Sequence, residues 1–371
     1  MTMQAAPSLS DPLMTLLSRL LLVPRGGENS SSQILEVLQS DIRNIREKEF
    51  DALVGLASSN HVVVRVLKTI LNLSREAEDG LRAEWAEAAL VAEQARIFLA
   101  LEFLQAVCNE FACEKYDVAV IKSLDHWPDL GSDLDLYTNA DSADVFRLMK
   151  RRFNAQIGPR SWGDHLARKW NFFIPGLPEA VEIHMGRLGQ TGEQVAIAAS
   201  LAARTRKIVL DGQSFPVPSI SDRLLISTLQ RMYRHFYFRL CDIVDTAAVS
   251  DDGCIDYMDL RTAATQAGIW EGVATYLVIV SDYVKKYRGS GLNLPQFAFE
   301  AARFGGNEVY YAKEFLRVPI LPQSARLYGS QLVGLLRRRE LLNSARLSLL
   351  PCLATAALVG QRITGSDKGI W

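Results

Sequence analysis

The chain has 371 residues, with 41 Lys and Arg against 42 Asp and Glu, and a formal net charge of −1. That balance excludes a bulk field able to recruit nucleic acid or an acidic membrane, though not a local basic patch. Apolar residues make up 49% and charged residues 22%, a globular composition in a chain long enough for two or three domains. The cysteines at 108, 113, 241, 254 and 352 show no zinc-like spacing, and their odd number argues against a disulfide framework. A reducing, cytoplasmic setting is therefore expected. Arg19 interrupts the apolar N-terminal run, so no signal peptide is expected. No apolar run reaches the roughly 20 residues of a membrane span. Residues 347–360 come nearest, contain Pro351, and read as a buried terminal helix.

Asp11 and Pro12 suit the cap and first position of a helix through Leu22. Residues 26–32 read as a flexible break. Helical patterning resumes over 32–73, with two buried helices parted near Ser58, Ser59 and Asn60. A long helix is expected from about Asp79 to Cys113, because Leu90, Ile97, Leu101, Leu104, Cys108 and Phe111 recur at helical spacing.

The texture then changes. Residues 118–121, Val-Ala-Val-Ile, predict a strand buried on both faces. Residues 133–137 alternate as a second strand, and Asp141 caps a helix to Phe153. Strands are expected over 170–174 and 180–185, and a hairpin over 208–217 around Asp211 and Gly212. From Ser221, expected as a cap, helices return. Leu225, Leu229, Met232 and Phe236 mark one face of the first of them, and Arg231, His235, Arg239 and Asp242 another. The chain thus divides into a helical region over 1–113, an α/β unit over 114–220 and a second helical region over 221–371.

The chemistry is carried by the strand with Asp133 and Asp135. Alternation points both carboxylates to one face, about 6–7 Å apart. Like charges that close repel unless a cation or a proton intervenes. Glu182 and His184 share a face of the 180–185 strand by the same rule. Three carboxylates on neighbouring strands make an oxygen-rich site suited to Mg²⁺ or Mn²⁺. Before them, Lys122 and Ser123 follow the first strand, a cationic and a small residue suited to phosphate.

Taken together these residues resemble the nucleotidyltransferase superfamily, and more closely the bacterial "uncharacterised nucleotidyltransferase" family. The matching positions are Ile121-Lys122-Ser123, Asp133-Leu134-Asp135 and Glu182-Ile183-His184, followed by the segment with Arg231 and His235. The resemblance covers roughly residues 45–250. It implies an α/β (α+β) fold, a small mixed-sheet nucleotidyltransferase core flanked by N-terminal and C-terminal helical regions. It implies metal-dependent transfer of an NMP group from an NTP, such as ATP, to a hydroxyl-type acceptor, with release of pyrophosphate. By the same resemblance Asp133, Asp135 and Glu182 hold Mg²⁺ or Mn²⁺, and Glu182 also serves as general base. Lys122 and Ser123 contact the β- and γ-phosphates, and Ser132 and His184 complete the nucleotide-contacting set. The acceptor is a small molecule or a protein; nucleic acid is not expected.

Two positions depart from the family pattern. Ser123 stands where the family has glycine, which narrows the backbone angles at the turn. Leu130-Gly131-Ser132 stands where an arginine is often found. The first departure sustains a second reading, a non-catalytic nucleotide- or partner-binding protein on the same fold. A third reading, an Asp-x-Asp glycosyltransferase, requires a Rossmann-like half before the motif. The helical character of that span argues against it.

Overall fold

A computed structural model describes residues 12–23 and 28–352. The expected cap at Asp11, the start of the break at 26–32 and the end of the 347–360 segment lie outside them. Five helices come first: α1 (Pro12–Leu21), α2 (Glu28–Arg43), α3 (Glu47–Ser59), α4 (Val63–Glu76) and α5 (Gly80–Cys113). The expected break is corrected here, because residues 28–32 already belong to α2. Asp79 caps α5 by accepting from the Arg82 N–H. The periodic stripe from Leu90 to Phe111 is buried, and α5 packs along α4.

The central unit follows as β1 (Val118–Val120), β2 (Asp133–Thr138), α6 (Ser142–Phe153), β3 (Gln156–Ile157), α7 (Trp162–Ala167), β4 (Lys169–Phe173) and β5 (Ala180–Met185). The sheet order is β1-β2-β5-β4-β3, with β2 and β5 parallel and the other pairs antiparallel, so the sheet is mixed. Asp141 caps α6 as its sequence indicates, accepting from the Ala143 N–H. Next come α8 (Val195–Arg204) and the hairpin β6 (Arg206–Leu210) and β7 (Gln213–Val217). Its turn places Asp211 at φ 46° and Gly212 at φ 77°, the left-handed pair that a two-residue hairpin turn needs.

The remaining elements are α9 (Ile220–Thr228), β8 (Tyr237–Phe238), α10 (Leu240–Asp251), α11 (Tyr257–Ala267), α12 (Trp270–Arg288), α13 (Gln296–Ala301), β9 (Tyr310–Ala312), β10 (Phe315–Arg317), α14 (Ala325–Arg337) and α15 (Leu341–Ser348). The fold is therefore α+β, with helical regions flanking the central sheet. Two local expectations are corrected. Ser219, not Ser221, caps α9, accepting from the Asp222 N–H. The C-terminal region also holds a three-stranded sheet, β8-β10-β9, whose strands of two or three residues are too short to show a period. Apolar side chains from Met14 to Leu327 form one connected core around the sheet.

The five cysteines are unpaired. Cys108 is buried in the α5 stripe, and burial pushes its thiol up to about 12. Iodoacetamide should therefore label Cys113, Cys254 and Cys352, which are exposed, and spare Cys108 in the native protein. Peptide mass spectrometry after native labelling reads this directly; rapid modification of Cys108 would contradict the burial. No helix among the described residues is long and apolar enough to cross a membrane.

Candidate active site

The parallel pairing of β2 with β5 sets Asp135 opposite Glu182 and Tyr137 opposite His184. Alternation along both strands then gathers Asp133, Asp135, Glu182 and His184 on one face. The donor atoms of Asp135, Glu182 and His184 lie within 4.8 Å of one another. Asp133 stands outside that close set, exposed at the lip of the same cleft. The cleft is open to solvent, with Arg231, Arg234 and Arg239 among its lining residues. Carboxylates thus meet a cationic lining, an arrangement suited to a polyphosphate carried with a divalent ion.

Two lysines neutralise the carboxylates. Lys122 Nζ pairs with Asp135 Oδ1 and lies 3.2 Å from Glu182 Oε1. Lys169 Nζ lies 2.9 Å from Glu182 Oε2 and 2.8 Å from Asp164 Oδ1. His184 Nε2 is 3.0 Å from Glu182 Oε1. Burial alone would raise the Glu182 carboxyl, but Lys122, His184 and Lys169 together hold it well below the usual range. Burial works the other way on Lys122, and Asp135 and Glu182 outweigh it, so the ammonium is held charged. Asp133 is pushed up to about 6 by partial burial and by the charges of Asp135 and Glu182.

The turn that delivers Lys122 is unusual. Lys122 sits at φ 63° and ψ −59°, and the Ser123 N–H donates to Ile121 O at 2.6 Å. This is a tight γ-turn with a positive φ on a non-glycine residue, a strained arrangement. Ser123 closes it: its hydroxyl donates to Asp133 O at 3.1 Å and accepts from the Asp135 N–H at 2.7 Å. The demanding backbone angle therefore falls on Lys122, and Ser123 keeps ordinary geometry. Both Ser123 donors are engaged within the fold, one in the turn and one on β2. Lys122 Nζ meets the carboxylates of Asp135 and Glu182. Ser132 lines the cleft beside Asp133.

Helix α9 does not run on through Asp242 as the spacing of four charged residues suggested. Residues Leu229–Arg234 wind as a π-turn, Phe236 takes φ 55°, and β8 follows. Such π-turns recur at functional sites. The break nevertheless brings Arg231, His235 and Arg239 to the cleft, with Asp242 beneath, 2.7 Å from Arg231 Nε. Burial, then Arg234, Arg231, Arg239 and Lys122, hold His235 well below the usual histidine range, so it is neutral.

Several contributors carry no local signal. Arg96 of α5 donates to Leu130 O at 3.1 Å and pairs with Glu179, fixing the loop ahead of Asp133. Arg65 donates to His126 O at 2.7 Å and Trp127 O at 2.9 Å. Asp125 and Asp129 read as ordinary turn residues, yet Asp125 is half-buried and Asp129 buried, each in an ion pair, with Arg223 at 2.6 Å and Arg65 at 3.3 Å. Lys169 had a usable signal: extending the 170–174 strand by one residue puts it opposite His184.

No family model matches the chain, and no curated protein matches it. Among solved structures, the chain is similar to an antigenic nucleotidyltransferase-like protein from Paracoccidioides brasiliensis. The likeness covers 52% of this chain and 93% of that one, at 15% identity and a TM-score of 0.33. A likeness at that level carries no argument, so the function is read from the residues themselves.

Proposed function

We propose that this cleft is the active site of a metal-dependent nucleotidyltransferase. The observation that carries the reading is the convergence of Asp133, Asp135 and Glu182 on adjacent parallel strands, in a cleft whose lining also holds three arginines. The donor set fits a divalent ion: two carboxylates and an imidazole lie within 4.8 Å of one another. Asp135, Glu182 and His184 would hold it, with Asp133 at the lip of the cleft beside them. Bound there, Mg²⁺ or Mn²⁺ supplies a charge that neutralises the NTP phosphates.

The residues divide the remaining work. Arg234 and Arg239 take the phosphate charge, and Lys122 releases the carboxylates to join them. The acceptor hydroxyl oxygen bonds to the α-phosphorus, the α–β P–O bond breaks, and pyrophosphate leaves with the electron pair. Glu182, held low and shared by two lysines and a histidine, is a weak base. Asp133, outside the close donor set, is the carboxylate left to take the hydroxyl proton.

Asp133→Asn should lower turnover by about 10²–10⁴-fold. Its stability should be unchanged or raised, because the ionised carboxylate is opposed in the fold by Asp135 and Glu182. The test is pyrophosphate release from each NTP with Mg²⁺ or Mn²⁺ and hydroxyl acceptors, with Asp133→Asn alongside. Release independent of Asp133, or turnover of a nucleotide sugar instead, would overturn the reading.

One observation favours a second reading. The Lys122 ammonium already lies among the carboxylates where an ion would bind. A non-catalytic nucleotide-binding protein would keep it there, and would bind NTP with equal affinity in EDTA. The glycosyltransferase reading finds no Rossmann-like half, since the described residues before β1 are helical.

A further inference from the structure

The five cysteines show no zinc-like spacing along the chain, but the fold assembles a soft donor set from three distant stretches. His61 lies in the turn between α3 and α4, His126 in the loop after β1, and Cys241 at the start of α10. Their donor atoms lie within 4.8 Å of one another. We infer that His61, His126 and Cys241 bind a zinc ion at the wall of the cleft, its fourth position open to the cleft.

One donor pair already has the spacing of ligands sharing an ion. His126 Nε2 and Cys241 Sγ are 3.7 Å apart. Tetrahedral zinc, with Zn–S near 2.3 Å and Zn–N near 2.0–2.1 Å, places two such ligands about 3.6 Å apart. His126 Nδ1 is 2.6 Å from Asp245 Oδ2, the carboxylate contact that fixes a ligating imidazole and leaves Nε2 for the metal. Asp245 is itself held by Arg65, 2.6 Å away. The donor types, two imidazoles and a thiol, suit zinc and not magnesium.

The backbone is built to hold these positions. The Cys241 N–H donates to Asn60 O at 3.2 Å, and the Leu240 N–H to Asn60 Oδ1 at 3.0 Å, so the His61 turn is stitched to α10. Gly131 gives the His61 ring its room: a Cβ there would lie 2.9 Å from Cε1. Cys241 is fully buried, which argues against a nucleophile that substrate must reach. His61 and His126 both line the cleft, which is why the fourth position faces it. Arg239 Nη1, 3.5 Å from His61 Nδ1, is the opposing charge and turns into the cleft when the ion binds. Binding forms the Zn–S bond and releases the thiol proton to solvent. Its effect is to anchor the 123–132 loop, and with it the start of β2.

The inference is independent of the nucleotidyltransferase reading, and so is its test. Full-length protein, purified under reducing conditions and freed of metal, is titrated with Co²⁺. The expected result is a thiolate-to-cobalt charge-transfer band with tetrahedral ligand-field absorption, saturating at one ion per chain. Cys241→Ser and His61→Ala should abolish the band, whereas Cys108→Ser and Asp133→Asn should keep it. Absence of the band from folded wild-type protein would overturn the inference whatever the variants do. A band that survives in folded Cys241→Ser or His61→Ala would do the same.

Discussion

Replacing Glu182 by glutamine should cost about 3 kcal/mol of unfolding free energy, read as a lowered urea midpoint at neutral pH. The carboxylate is shared by Lys122, Lys169 and His184, all close, the last two buried and Lys122 nearly so. Removing its charge strips a partner from two enclosed ammonium groups. Breaking a buried pair typically costs about 3–5 kcal/mol. The lower end applies because Lys122 keeps Asp135 and Lys169 keeps Asp164. The sign of the pH dependence follows from the direction of the shift. The folded value lies below the unfolded one, so this stabilisation is complete above about pH 4.3 and fades as acid protonates the group. Wild type and Glu182→Gln should therefore differ most at neutral pH and converge in acid. An unchanged midpoint at pH 7 would show that the lysines do not depend on this carboxylate.

Asp242→Asn should be at least as damaging, about 4 kcal/mol. Arg231 and Asp242 are each 3% exposed, and Nε lies 2.7 Å from Oδ2. Burial would lower the guanidinium, but Asp242 outweighs it and the group stays charged. An asparagine amide keeps one acceptor for the Arg239 N–H, now served at 2.8 Å, but turns a donor or a neutral oxygen toward Arg231. Adding Arg231→Met should restore part of the loss, since an apolar side chain of similar length leaves no buried charge uncompensated. Urea unfolding of the two single variants and the double measures the coupling. A double variant as unstable as the sum of the singles would argue that the pair contributes no mutual energy.

The acidic floor was legible because strand alternation is a short-range rule. Asp133 with Asp135, and Glu182 with His184, needed only a period of two and the guess that their strands adjoin. Lys169 escaped because the strand's apolar pattern starts at Trp170, one residue after the strand itself. The helix drawn through Arg231, His235 and Arg239 failed for a different reason. A π-turn and a positive φ at Phe236 leave no mark on the apolar spacing, so the chain reads as continuous helix where it bends. Arg65, Arg96 and the two enclosed turn aspartates act across tens of residues, beyond what periodicity records. The metal donor set of His61, His126 and Cys241 lies further still from any motif, because only tertiary packing unites it.

Asn60 carries a consequence for how the molecule comes to be made. Its side chain donates to Leu56 O at 3.0 Å and Glu314 O at 3.1 Å, while its two oxygens receive the start of α10. One buried amide thus waits for partners about 180 and 254 positions downstream. During vectorial synthesis the early helices can collapse on one another, but that knot cannot be tied until the ribosome has delivered residue 314. Nascent chains stalled before residue 314 should accordingly bind chaperone through this region, where the finished protein offers them nothing to grip.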